Sequence, residues 1–299
     1  MRNKYGKCLA GIMLICLVGC TQREICGFAH PHRGSLDILF DWQKIIPETV
    51  VPDSMQVCFY PFAADTLVEK CCAKEGVSIV LLADSYRILA FNHKTERLRF
   101  RDLGEYERAE VYLPENVNPD SRSLNTVGQA EPFYVAAVGR FSVDPDEVYR
   151  QKWLMQPYVK SLRFDLKVDG LFQAVACDGT LSGLAASLKL SSGNVGSASD
   201  PVTAVFPLSV SDSRVFGQLF VLGVNPGVTR GTGVNRLTLD FTMKDGGHYV
   251  VNLDVTDALE HMEDGDIKVD IEVGGNEVSG LTASVKAWET GGEVTVVVK

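Results

Sequence analysis

Apolar residues recur along this chain in short, alternating stretches. In Leu36-Asp37-Ile38-Leu39-Phe40-Asp41-Trp42 every even position is apolar, and residues 55–60 and 77–82 are likewise short, rich in β-formers and bounded by turn residues. The pattern returns after Pro157 in residues 161–169, 202–210, 215–224, 237–243, 248–255, 267–273 and 293–298. Lys244-Asp245-Gly246-Gly247-His248 supplies the positive φ values of a tight hairpin, and Val273-Gly274-Gly275-Asn276 predicts another. Helical spacing is scarce: residues 66–72, 147–155, 181–190 and 256–262 are the candidates, all short.

Strands at intervals of roughly ten residues, with no long helices between them, predict an all-β chain of antiparallel sandwiches and not a parallel α/β sheet. The 299 residues suit two such units. The polar stretch 142–147 and the docking segment 149–157 place the junction, giving an N-terminal sandwich over 35–150 and a C-terminal one over 151–299. No internal repeat is visible, and the Gly/Ser-rich residues 191–200 predict an exposed loop.

The first residues change the picture. Arg2, Lys4 and Lys7 precede an apolar run from Leu9 to Val18, too short for a stable membrane span and suited to a signal peptide. The run closes on Leu17-Val18-Gly19-Cys20, which resembles the lipobox of bacterial lipoproteins. That resemblance implies removal of residues 1–19, acylation of Cys20, and a lipidated tether over 20–34 that partners the body with a membrane. Thr21, standing where an aspartate would signal retention, implies the outer membrane. Beyond the leader no apolar run is long enough to span a bilayer.

Charge then narrows the partners. Removing three basic and no acidic residues takes the net charge from −9 to −12, which disfavours nucleic acid. Arg97, Arg99 and Arg101 alternate as a solvated strand face does. Of the cysteines, Cys26, Cys58, Cys71, Cys72 and Cys177 remain after the leader and Cys20 are set aside. An odd set without regular spacing reads as buried free thiols, with a bridge from Cys26 to one of the others as the rival.

Candidate chemistry is thin. His30, His32, His93, His248 and His261 lie in no nucleophile, zincin or phosphate-loop pattern, so no catalytic residue and no cofactor is assigned. His30 and His32 share a strand face across Pro31, but two imidazoles without a third ligand make no zinc site. Asp264-Gly265-Asp266 lacks the spacing and terminal glutamate of a calcium loop, and Asp144 with Asp146 reads as a solvated linker.

His30-Pro31-His32-Arg33-Gly34, the strand ending Phe40-Asp41-Trp42 and residues 55–61 together resemble the start of lipoproteins in the fimbrillin superfamily, the Bacteroidales-type fimbrial proteins. Leu89-Ala90-Phe91-Asn92 leading into residues 96–100 resembles that family's second N-domain hairpin. Val168-Asp169-Gly170-Leu171, Leu181-Ser182-Gly183-Leu184-Ala185 and Leu253-Asp254-Val255-Thr256-Asp257 follow in the family's order. The resemblance implies two tandem transthyretin-like, Greek-key sandwiches and a non-enzymatic role as fimbrial anchor, accessory subunit or adhesin. It also implies other fimbrial subunits as partners, through strand complementation.

In such polymers a protease removes a first strand and a C-terminal strand from a neighbour fills the gap. The strand at 36–42 and the apolar Glu293-Val294-Thr295-Val296-Val297-Val298-Lys299 are the features concerned, although each can equally pair within its own sandwich. Cutting behind the first strand would sever the lipid from the body. Cleavage at Arg33 would detach the tether, and Lys44 is the nearest basic residue where family maturation would fall; no processing is predicted. The rival reading is a surface lipoprotein that captures glycan, resting on Tyr106, Tyr112, Trp153 and Trp288 if exposed, with the small-molecule ligand unassigned.

Overall fold

The alternation at residues 36–42 becomes β1 (Arg33–Asp41), whose Leu36, Ile38 and Phe40 are buried. The structure, a computed structural model, describes residues 32–64, 66–115, 125–168, 174–196, 200–211, 214–226, 235–256, 259, 267–276 and 280–288. For residues 165–168, 267–276 and 280–288 it describes the backbone only.

An eight-stranded sheet is built from β1, β2 (Ser54–Pro61), β3 (Val68–Ala73), β4 (Gly76–Leu82), β5 (Asp84–Phe91), β9 (Tyr134–Val143), β10 (Val148–Leu154) and β11 (Gln156–Pro157). Its order is β10-β1-β4-β3-β2-β5-β9-β11. A nine-stranded sheet carries β12 (Lys160–Val168), β13 (Ala174–Leu184), β15 (Val202–Ser211), β16 (Arg214–Val221), β17 (Arg236–Met243), β18 (His248–Asp254), β19 (Ile267–Asn276) and β20 (Gly280–Trp288). Its order is β18-β17-β13-β15-β16-β12-β19-β20, and β8 (Thr126–Gly128) joins it by pairing with β15. The path leaves the first sheet after Pro157 and enters the second at Lys160.

The all-β expectation is met, and the two sheets repeat one plan that no sequence periodicity disclosed. If β1, β2, β3, β4, β5, β9 and β10 are counted first to seventh, the sheet reads seven-one-four-three-two-five-six. Counting β12, β13, β15, β16, β17, β18 and β19 the same way gives the identical order. In each unit the seventh strand pairs parallel with the first, β10 with β1 and β19 with β12; among the described strands β8 with β15 is the other parallel pair, and the remaining pairings are antiparallel.

Two locks need backbone that only glycine tolerates easily. Gly76 has φ +149°, and a Cβ there would lie 2.0 Å from the Ile38 carbonyl oxygen, so β4 can lie close against β1. The expected hairpin at 244–248 is present: Gly246 has φ +81° and donates its N–H to the Met243 carbonyl at 3.0 Å.

Several expectations are overturned. Residues 66–72 are not a helix: β3 pairs with both β2 and β4, and this tertiary pairing outweighs the helix propensity of a few residues. Of residues 147–155, Val148–Leu154 form β10, where Arg150 and Lys152 are exposed and Trp153 is buried; the period is two. Residues 181–190 divide between β13, held on both sides by β15 and β17, and β14 (Ser187–Lys189). At 256–262, Thr256 and Leu259 are helical and the Leu259 N–H reaches the Val255 carbonyl at 3.1 Å; the remainder lies outside the described residues. The turn expected at 273–276 is strand, since β19 keeps pairing with β20 up to Asn276. Residues 293–298 lie outside the described residues.

Residues 89–92 and 96–100 do not make a hairpin. β5 stays in the first sheet, whereas β6 (Arg99–Arg101) belongs to a separate three-stranded sheet, β14-β7-β6, with β7 (Glu110–Tyr112). The insertion between β5 and β9 thus pairs with the second half of the chain twice, through β7 with β14 and through β8 with β15. It also covers the outer face of β2 and β5, where Cys58, Leu89 and Phe91 are fully buried although they point away from the sandwich core. Phe91 meets Phe100 at 5.0 Å and Phe133 at 6.4 Å, and Tyr60 meets Tyr106 at 5.7 Å.

Candidate functional site

No described residues converge on a reactive centre; what the fold offers is its strands and their edges. β1 emerges where the tether would enter. The His32 carbonyl accepts from Ala83 N–H at 2.8 Å, and from Arg33 onward β1 is gripped on one side by β4 and on the other by β10. It is therefore an interior strand. Arg33 is exposed at its start and Lys44 is exposed in the turn after it. Lys44 borders a cleft of about 290 Å³ with Ile45, Pro47, Pro157 and Lys160.

Asp144 and Asp146 lie in the turn from β9 to β10, within the first unit and not in a linker between units, since both strands belong to the eight-stranded sheet. The Tyr149 hydroxyl donates to the Asp144 carboxylate at 2.7 Å, which pushes the Tyr149 pKa up, and Asp146 sits at φ +60°. His32 is exposed, while Cys20, Cys26, His30, His261 and residues 264–266 lie outside the described residues. Among the described residues no three His, Cys, Asp or Glu side chains gather around one point.

The four aromatic residues considered for a sugar platform do not make one. Tyr106 and Trp153 are buried, Tyr112 is half-buried beneath Arg101 at 5.2 Å, and the Trp288 side chain is outside the description. Exposure falls instead on Phe62, whose ring lies 4.8 Å from the Arg87 guanidinium and 5.5 Å from that of Arg140. Sequence reading passed over Phe62 because it follows Pro61 in a turn, where no alternation marks a face. It also passed over the exposed Val80 and Val148, which register sets on either side of Ser35 on β1, with Leu82 two residues further along β4; the exposed Leu39 lies apart, between Gly76 and Lys152.

The cysteines divide by strand geometry. Cys58 and Cys177 are buried, as expected of free thiols, but Cys71 is exposed and Cys72 half-buried. Neighbours on one strand point to opposite faces, so Cys71 and Cys72 are separated by the sheet itself. Burial pushes the Cys58 and Cys177 thiols up to about 12, with the Glu69 carboxylate adding to the effect on Cys58 and Asp178 on Cys177. We predict that a maleimide labels Cys71 in the native chain, while Cys58 and Cys177 react only after denaturation, as mass spectrometry of the digest would report. The linked effect has a definite sign. In the unfolded chain these thiols ionise near 9.0, so their stabilising contribution is full below that pH and is lost as pH rises toward about 12.

A family model described as a domain of unknown function, DUF5119, matches residues 19–206. A Bacteroides ovatus protein named as a candidate fimbrium anchoring subunit, Fim4B, is 26% identical over 219 residues, covering 72% of this chain. The match spans 64% of that relative's own length. Among solved structures, a candidate adhesin from Bacteroides ovatus superposes with a TM-score of 0.64 at 22% identity, over 87% of this chain and 99% of the other. The fimbrial anchor protein Mfa2 from Porphyromonas gingivalis superposes with a TM-score of 0.58 at 12% identity, over 89% and 100% respectively. At these identities the structures establish a shared fold.

Proposed function

The chain belongs to the family described as DUF5119; we propose that it is a non-enzymatic lipoprotein of the outer membrane that fastens a fimbrium to the cell. Residues 1–19 are the leader, Cys20 carries the lipid and residues 20–34 are the tether; two sandwich domains follow, and their junction lies between Pro157 and Lys160 and not at 150/151, because β10 and β11 belong to the first sheet. Its partners are the membrane, through Cys20, and other fimbrial subunits.

The observation that carries this reading is the placement of β1. Tension between a lipid at Cys20 and a fibre on the body enters the fold at Arg33 and acts along β1. Ladders on both flanks, to β4 and to β10, resist that load in shear, where many hydrogen bonds must break together. An interior first strand suits an anchor, which must keep it, better than a subunit that surrenders it. The relative named as a fimbrium anchoring subunit and the anchor of like fold support the same choice.

Deleting the gene is expected to leave fimbriae assembled but shed, so that fimbrial protein moves from the cell pellet to the medium on immunoblots. Cells that hold their fimbriae as before would remove the anchor role.

A further inference from the structure

Phe62, Arg87 and Arg140 come from neighbouring strands and share one outward face. In the first sheet β2, β5 and β9 stand side by side, and Phe62 extends the ladder past Pro61 by donating its N–H to the Ser85 carbonyl at 2.9 Å. Tyr86 and Ile88 of β5 are buried toward the sandwich core, so Ser85 and Arg87, which alternate with them, face outward. The register of β5 with β9 shifts between Tyr86 and Ile88, setting Gly139 and Arg140 together against Arg87. Such a bulge re-aims a side chain. Here it carries the Arg140 guanidinium over β5, where Nη2 donates to Ser85 Oγ at 3.5 Å, and Ser85 Oγ lies 3.0 Å from Ser142 Oγ.

Two guanidiniums thus converge on one ring, Arg87 at 4.8 Å and Arg140 at 5.5 Å from the Phe62 centroid, while Phe62 stays 49% exposed. The buried Tyr106 ring steadies Arg87 as well, at 5.7 Å. Among the described residues their only ion pair is with Glu107, 3.9 Å from Arg87, and Arg140 has none. Asp84 is engaged elsewhere: its carboxylate accepts the Ala63 and Ser85 N–H groups at 3.0 and 2.7 Å. Like charges held side by side repel, and an anion between them offsets that repulsion. We infer that Phe62, Arg87 and Arg140 form a binding site for one carboxylate-bearing sugar, such as ends an acidic glycan.

Each part of the site answers a part of that ligand. The guanidiniums, held by the rings, present N–H forks to the carboxylate. Ser85 and Ser142 offer hydroxyls to those of the sugar, and the open part of the Phe62 ring takes its C–H face. A bare sulfate would use the charge and leave the ring uncovered. A long polyanion fits poorly, because the exposed carboxylates of Asp144, Asp146 and Glu147 follow Ser142 closely in a chain of net charge −9. The site lies beyond the anchor reading and does not depend on it.

The test is calorimetric titration of the full chain, in neutral detergent, with sialyllactose as a sugar chain ending in a carboxylate. Lactose, the methyl ester of sialyllactose, sodium sulfate and a tetraglutamate peptide are titrated in parallel. Sialyllactose should bind saturably and weaken as salt is raised, and lactose and the ester should bind about tenfold less tightly or worse. Arg140→Gln, checked by circular dichroism for an intact fold, should weaken sialyllactose about tenfold. Arg140→Lys keeps the charge without the fork and should recover only part of that loss. Glu107→Gln removes the internal competitor for Arg87 and should tighten binding about threefold. Arg150→Gln, at an exposed arginine on β10, should change nothing. No saturable binding, or an ester that binds as well as the acid, would overturn the site. Sulfate or tetraglutamate matching sialyllactose would make it a general anion or acidic-peptide contact and overturn the sugar. Arg150→Gln weakening binding as much as Arg140→Gln would overturn the location.

Discussion

Exported behind an ordinary secretory leader, a Cys20→Ala chain should appear almost entirely in the soluble fraction of the cell envelope or in the medium, with fimbriae released alongside it. Each buried methylene of an acyl chain contributes about 0.8 kcal/mol, and two or more chains make attachment effectively permanent where one makes it marginal. Removing the cysteine removes all of them at once. Among the described residues no helix is long and apolar enough to cross a membrane, and the chain without its leader carries three fewer positive charges than the −9 precursor. An acidic surface is repelled by anionic lipid and cannot substitute. The swapped leader matters because an uncut lipoprotein leader, with its apolar run from Leu9 to Val18, would itself cling to the membrane and mask the loss. A Cys26→Ala chain behind the native leader is the control and should stay in the membrane pellet with its palmitate label. Membrane-bound Cys20→Ala protein, or label persisting on it, would end the lipid-anchor reading.

How much of this was legible in the sequence depended on range. β1, β2, β4 and the hairpin of β17 and β18 could be read because alternation and glycine turns are local signals that their own residues carry. β3 and β10 were read as helix because Val68-Glu69-Lys70 and Arg150-Gln151-Lys152 look helical in isolation; what makes them strands is a partner elsewhere, β2 and β4 for one and β1 for the other. The burial of Tyr106 and Trp153 accords with the general tendency of aromatic residues in β-rich chains, but what covers each is set at long range. Tyr106 is covered by Tyr60, more than forty residues upstream, and a residue count cannot report it. The repeated strand order is the furthest from sequence: it is a relation among pairings, preserved while insertions between β5 and β9 and between β13 and β15 erased any common spacing.

The second large effect is expected at Phe91. Its side chain is fully buried on the outer face of β5, against Phe100 and Phe133, whose rings are themselves 5.8 Å apart. Phe91→Ala removes the middle of this cluster and leaves a cavity, a loss of about 3–5 kcal/mol for a buried phenylalanine. Against a total of roughly 5–15 kcal/mol for a folded domain, that is a large fraction. The position makes the consequence particular. The cluster fastens the insertion after β5 to the first sheet, and that insertion is what carries β7 to β14 and β8 to β15. Loosening it should weaken the first unit and uncouple it from the second, so that urea unfolding followed by tryptophan emission begins earlier and separates into two steps. Trp42 reports the first unit, since it packs edge-on against Tyr134 at 5.5 Å and donates Nε1–H to the Lys74 carbonyl at 2.8 Å. Phe164→Ala supplies the contrast: Phe164 stacks on Phe206 at 5.0 Å inside the second unit, and its loss should leave the Trp42 transition nearly where it was. Leu39→Ala, at an outward and largely exposed position, should shift neither by more than about 0.5 kcal/mol. If Phe91→Ala and Phe164→Ala melt alike in one step, the insertion does not join the halves as its pairing indicates, and coupling must run through the short path from Pro157 to Lys160.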